Sequence, residues 1–164
     1  MSNMERANTK PSQRLLGDFQ AWEKRLRRVY TKAEKAEQKS ETTLRPRKRA
    51  MNKFRLSIYR YYHELRRAKL IEKLREYVEE RDRSRWAGHG DGNELWVLRL
   101  ATRHEQTAQK RKNRSRLAAE LKLASLNQVR PDLLLGFLYE AGTVETIERD
   151  AREGKKYGWA TSYQ

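Results

Sequence analysis

Three observations predict an all-α chain with a cationic exterior. Apolar residues recur three and four apart over long stretches, the mark of helices with one buried face. Only three prolines and eight glycines interrupt 164 residues, which argues against an all-β fold. Hydrophobic and charged residues each make up 37%, a balance that suits a thin helical bundle better than a thick globule. The net charge of +16 with a pI near 10.3 is self-repelling and calls for an anionic partner: nucleic acid, an acidic protein or an anionic membrane surface. Residues 1–49 carry 14 basic against 6 acidic groups and residues 125–164 carry 5 against 6, so the anion-facing surface is expected in the first three-quarters of the chain. Absence of cysteine removes disulfides, thiolate metal sites and thiol nucleophiles. No apolar run approaches the roughly 18 residues of a membrane span.

Taken in order, residues 1–12 read as a flexible arm; the basic start is a weak match to a mitochondrial presequence because of Glu5 and Asp18. From Ser12 to Lys39 the spacing of Leu15, Phe19, Trp22, Leu26, Val29 and Ala33 predicts one long helix, capped by Ser12 and tolerating Gly17. It is either a helix of the bundle or a short coiled-coil arm. Residues 40–49 read as a linker, since Pro46 disfavours helix at Arg45. Its Arg45, Arg47, Lys48 and Arg49 form a cationic knot suited to phosphates, to a nuclear-localisation-like patch, or to a plain solvated connector.

Over 54–86, Phe54, Ile58, Tyr61, Leu65, Ala68, Ile71, Leu74 and Val78 form one apolar stripe, on one or two helices with a basic outer face. The loop at 88–93 (GHGDGN) fails the context test for a phosphate-binding loop, and Asp91 or Asn93 is expected to cap the next helix. That helix, 94–112, begins apolar and turns cationic at 109–116, where Lys110, Arg111, Lys112, Arg114 and Arg116 suit an RNA groove or a solvated helix end. Residues 117–126 continue or restart helix, and Asn127 to Arg130 turn the chain. Pro131 opens a short apolar helix ending at Gly142, and Thr143 caps a last helix stopped by Gly154. The near-neutral unit from 125 is a candidate protein contact or a satellite core, and Tyr157, Trp159 and Tyr163 read as a tail for surface binding.

A second pattern lies across the 54–86 stripe. Ile58-Tyr59-Arg60 is followed by Tyr77, then Arg81, Arg83 and Trp86, and later by a Leu/Ala-rich helix. This resembles the LYR-motif (complex 1 LYR-like) family of small mitochondrial proteins, over roughly residues 50–115. Ile58 stands for the family's Leu and Trp86 for its usual Phe, and the sequence gives no helix break between Arg66 and Glu76. The resemblance implies a three-helix LYR-like bundle (50–124) with an extra long N-terminal helix (1–49) and a short helical C-terminal extension (125–164). It also implies a non-catalytic adaptor that binds acyl carrier protein, in the mitochondrial matrix or on the matrix side of the inner membrane. In that picture Arg60 pairs with the carrier's acidic groups or phosphate, Tyr59 orients the motif, and Ile58, Tyr77 and Trp86 line the core. Arg81 and Arg83 add cationic contacts. No cofactor of its own is implied, only the acyl-phosphopantetheine of the carrier. The wider partners would be subunits of a respiratory complex, the iron–sulfur machinery or a mitochondrial ribosome.

The histidines are scattered (His63, His89, His104) and none lies in a metal-binding spacing; His63 and His104 read as satisfied or exposed helix residues. No nucleophile–base pair is evident, so no enzymatic role is expected. The alternative to the adaptor is an RNA- or DNA-binding helical component of a ribonucleoprotein, contacting rRNA through 24–49 and 109–116, in the cytoplasm or nucleus.

Overall fold

A computed structural model describes residues 11–38, 44–81, 93–102 and 108–158. Every regular element among them is helical: α1 (Pro11–Leu16), α2 (Phe19–Gln38), α3 (Leu44–Arg67), α4 (Ile71–Arg81), α5 (Asn93–Thr102), α6 (Ala108–Leu126), a 3-10 turn (Pro131–Leu133), α7 (Leu134–Ala141) and α8 (Val144–Glu153). The expected helix from Ser12 is therefore broken at Gly17. Asp18, not Ser12, caps the long helix, its Oδ1 accepting from Ala21 N at 3.1 Å. The last carbonyls of α1, orphaned by the break, are taken up from outside: Trp22 Nε1 donates to Leu15 O and Tyr61 Oη to Leu16 O, each at 3.1 Å.

The linker expected at 40–49 is helical from Leu44. Pro46 is tolerated because it sits in the first turn of α3, where its missing N–H would have had no helical partner. α2 and α3 then run antiparallel as the central hairpin: Trp22 stacks on Tyr61 at 4.1 Å near one end and Tyr30 meets Phe54 at 4.9 Å towards the other. Each such aromatic pair contributes about 0.5–1.5 kcal/mol beyond its burial. Of the predicted stripe, all but Ala68 is buried, with Phe54, Ile58 and Leu65 at 0% exposure.

The stripe belongs to two helices. α3 ends at Arg67 although neither Gly nor Pro is present: Leu70 N bonds Leu65 O at 2.9 Å, Lys69 N bonds Arg66 O at 3.1 Å, and Lys69 takes a left-handed φ of 57°. The same closure ends α6, with Val129 N on Ala124 O and Gln128 N on Ser125 O, both at 3.0 Å, and Gln128 at φ 53°. Thus the break read as missing between Arg66 and Glu76 is there, held by a lysine.

The single helix expected over 94–112 is also corrected: α5 ends at Thr102, and α6 runs unbroken from Ala108 through the basic run into 117–126. α5 lies against α2, α3 and α4, while α6 packs on α5 and α8. The C-terminal helices follow the sequence closely. Pro131 opens the turn, Thr143 Oγ1 accepts from Thr146 N at 3.3 Å, and Gly142 and Gly154 close α7 and α8 at φ 98° and 68°. Leu134, Phe137 and Ile147 join the same buried cluster as Phe54 and Leu26, so they form no satellite core. Tyr157 is not a loose tail aromatic. Its ring meets Phe137 at 5.5 Å, its N–H donates to Asn127 Oδ1 at 2.6 Å, and its hydroxyl donates to Asp150. Trp159 and Tyr163 lie outside the described residues.

Candidate functional site

The motif residues of α3 divide by direction. Ile58 is fully buried, and Tyr59 is buried with its hydroxyl donating to Val129 O at 2.8 Å, which ties α3 to the turn after α6. Burial and the neighbouring Tyr62 and Glu94 push the Tyr59 phenol well above its ordinary range, so it stays a neutral donor. Arg60 points the other way and is exposed. At 100° per residue Arg49, Lys53, Ser57, Arg60, Glu64 and Arg67 fall on one side of α3, and all but Ser57 are exposed. The flanking cations of the helix are committed. Arg55 makes a fork to Glu120 at 2.6 and 3.0 Å, and Arg66 Nη1 donates to Ser125 Oγ at 3.2 Å. Tyr62 Oη, between them, donates to Glu94 Oε1 at 3.1 Å.

Tyr77 and Arg81 lie on α4 and face α2. Glu23, 4% exposed, accepts from Arg81 Nη1 at 2.7 Å and from Tyr77 Oη at 3.2 Å through Oε2, and meets Arg27 at 2.6 Å through Oε1. Arg81 lies over the Tyr77 ring at 4.9 Å, and Phe19 packs on that ring at 5.4 Å. These two residues are thus gathered around an internal carboxylate, on a different helix from Arg60, which faces outward. Arg83, Trp86, His89 and His104 lie outside the described residues.

The basic residues of the alternative reading also separate. Lys48 and Arg49 are exposed at the start of α3, Lys112 is exposed, Arg114 is 7% exposed and hence buried, and Arg116 Nε stands 3.8 Å from Glu148 Oε1. The side chains of Arg45, Arg47, Lys110 and Arg111 are outside the described set. Glu145 of α8 is held below the usual carboxylate range by its own backbone N–H and Thr143, helped by Arg116 and Lys112. The 109–116 run is therefore partly answered from within.

Sequence reasoning missed Glu23, Glu94, Glu120 and Asp150, all buried. Glu23 carries a readable signal: it falls four after Phe19 and three before Leu26, on the apolar side of α2. Asp150, three after Ile147, carries the same one. Between α5, α6 and α8 a groove of about 250 Å³ is floored by Leu95, Ala118, Ala119 and Ala151 and edged by Glu148, Lys122 and Arg152. Among the described residues no group of three or more His, Cys, Asp or Glu is placed to hold a metal ion, and no helix is long and apolar enough to cross a membrane. Compared with known proteins, the chain matches no family model, no curated protein and no solved structure.

Proposed function

We propose that the chain is a non-catalytic, LYR-type adaptor that holds an acidic carrier protein against the outer face of α3. The observation that carries this reading is the division within the motif: Ile58 and Tyr59 are buried while Arg60 stands exposed between Lys53 and Arg67. An arginine held this way offers a planar fork to carboxylates or a phosphate at little ordering cost, because its helix is already fixed by the core. In this reading α3, α4 and α5 are the family's three-helix bundle, α2 is the added N-terminal helix, and 125–158 the C-terminal extension. Tyr77 and Arg81 act on the bundle's own stability through Glu23, which leaves the grip to α3. The acyl-phosphopantetheine belongs to the carrier, and the setting is a matrix-side assembly: a respiratory complex, the iron–sulfur machinery or a mitochondrial ribosome.

Mild affinity purification followed by intact mass spectrometry tests the reading. A co-purified acidic protein bearing a phosphopantetheine mass, lost on Arg60→Glu and retained on Lys122→Glu, is the expected result. A carrier that stays bound to the Arg60→Glu protein overturns it.

A further inference from the structure

A second surface stands apart from the Arg60 face and does not depend on it. On α2, Lys24, Arg28, Thr31 and Lys35 fall in line, flanked on one side by Arg25 and Lys32, and all are exposed. At 100° per residue they occupy an arc of about 120°, and they run about 16 Å along the axis. The acids of this stretch lie off the arc: Glu23 is turned inward to Arg27 and Arg81, and Glu34 is half-buried. None of Lys24, Arg28, Lys32 and Lys35 pairs with another described residue, whereas Arg114 and Arg116 of α6 are drawn into the fold. Arg25 is propped over the half-buried Trp22 at 4.9 Å, which fixes one flank of the arc.

We infer that this face of α2 docks duplex RNA through its phosphates. The arc offers charge and almost nothing else: no Asn or Gln with which to read a base edge, and two cations abreast along much of its length. A ridge two cations wide complements a narrow groove walled by phosphates from both strands, the geometry of the A-form major groove. Phosphate contacts of this kind release counterions, so affinity depends steeply on salt.

The test uses the full chain and a labelled RNA duplex of about 20 base pairs, with affinity measured across a salt series. Lys24→Gln/Arg28→Gln/Lys35→Gln is expected to bind at least tenfold more weakly, with the log–log salt slope reduced by about 2 to 3, and Lys24→Gln alone by about 1. Lys112→Gln/Lys122→Gln is expected to stay within twofold of the parent. All the replaced side chains are exposed, and unchanged helical circular dichroism verifies the fold. The inference is overturned if the triple variant binds within twofold of the parent, if a B-form DNA duplex binds as tightly, or if polyglutamate displaces the RNA at equal charge concentration, which would mark the face as a site for acidic protein.

Discussion

The α2–α3 hairpin and the α6–α8 unit each contain a strongly basic helix, yet they treat its charges in opposite ways. In the hairpin, apolar and aromatic residues meet along the seam and most of the cations are left outside, with Arg27, Arg55 and Arg66 drawn onto internal partners. In the C-terminal unit the polar groups are turned inward: Asn127 bonds Leu123 O at 2.9 Å, Lys155 O at 3.0 Å and the Tyr157 N–H, and Asp150 gathers Tyr157, Lys155 and Arg149. The reason is composition along each helix. The outer arc of α2 has no acid, whereas α8 carries Glu145, Glu148 and Asp150 against α6. Local density of Lys and Arg in sequence is thus a poor guide to surface potential, which is set by what packs alongside. The first half should respond to mutation mainly in binding, the second mainly in stability.

The sharpest way to break that contrast is Phe137→Ala. Its ring is fully buried and supports Tyr157, so a loss of about 3–5 kcal/mol is expected, read as a fall in urea midpoint with one cooperative transition for the whole chain. Two separate transitions would mean the C-terminal unit is independent after all. Asn127→Ala should follow at about 1–3 kcal/mol, since it takes away the partners of the part-buried Tyr157 N–H and Lys155 O, while Leu123 O keeps the Asn127 N–H. Neither change should alter RNA affinity per folded molecule; a drop there would join the two halves functionally.

A third change works in the opposite direction. Glu145→Gln/Glu148→Gln removes the carboxylates that answer Arg116 and Lys112, so the α6 run should become available to anions. Duplex RNA affinity is expected to rise several-fold, with a steeper salt dependence. No change would mean that burial of Arg114, and not neutralisation from α8, is what silences the run.

These cases also measure what the sequence could convey. Helices ending in Gly142 and Gly154, the Thr143 cap and the stripe from Phe54 to Val78 were legible because their signals are local and chemically specific. The turn at Asn127 to Arg130 was legible too. The end at Lys69 was not, because the same hydrogen-bond closure was made there with a residue that carries no turn signature, and Leu70, the apolar residue just after the bend, was the only clue. The site was half legible. Arg60 stood out through its motif, but the commitment of Tyr77 and Arg81 to Glu23 needed a contact more than fifty residues distant in sequence. Lys69→Gly and Gln128→Gly test the point directly. Each should stabilise by roughly 0.5–1 kcal/mol, as relief of a left-handed Cβ outweighs the entropy lost. Destabilisation by either would show that its side chain matters beyond the bend.

The smallest effect sits between the two halves. His63 of α3 lies edge-on to Tyr59 at 4.6 Å with its Nε2 buried and without a hydrogen-bond partner. Burial first, then the Arg66 charge, lower its pKa below the ordinary 6.5, with an opposite pull from Glu64 and a smaller lowering from Arg67. The unfolded chain therefore binds the proton more readily than the folded one. Stability conferred by a neutral His63 is complete above pH 6.5 and declines as the pH falls below it. A His63→Leu protein lacks this proton linkage. The difference in urea midpoint between it and the parent should stay constant from pH 8 to 7 and shift in favour of the variant between about pH 6.5 and 5. Because His63 flanks Tyr59, the residue that ties α3 to the end of α6, loosening should appear first as faster amide exchange at Val129 and Arg130. Exchange that instead rises first in α2 would place the weak point in the hairpin seam, and would reverse the ranking of the two halves.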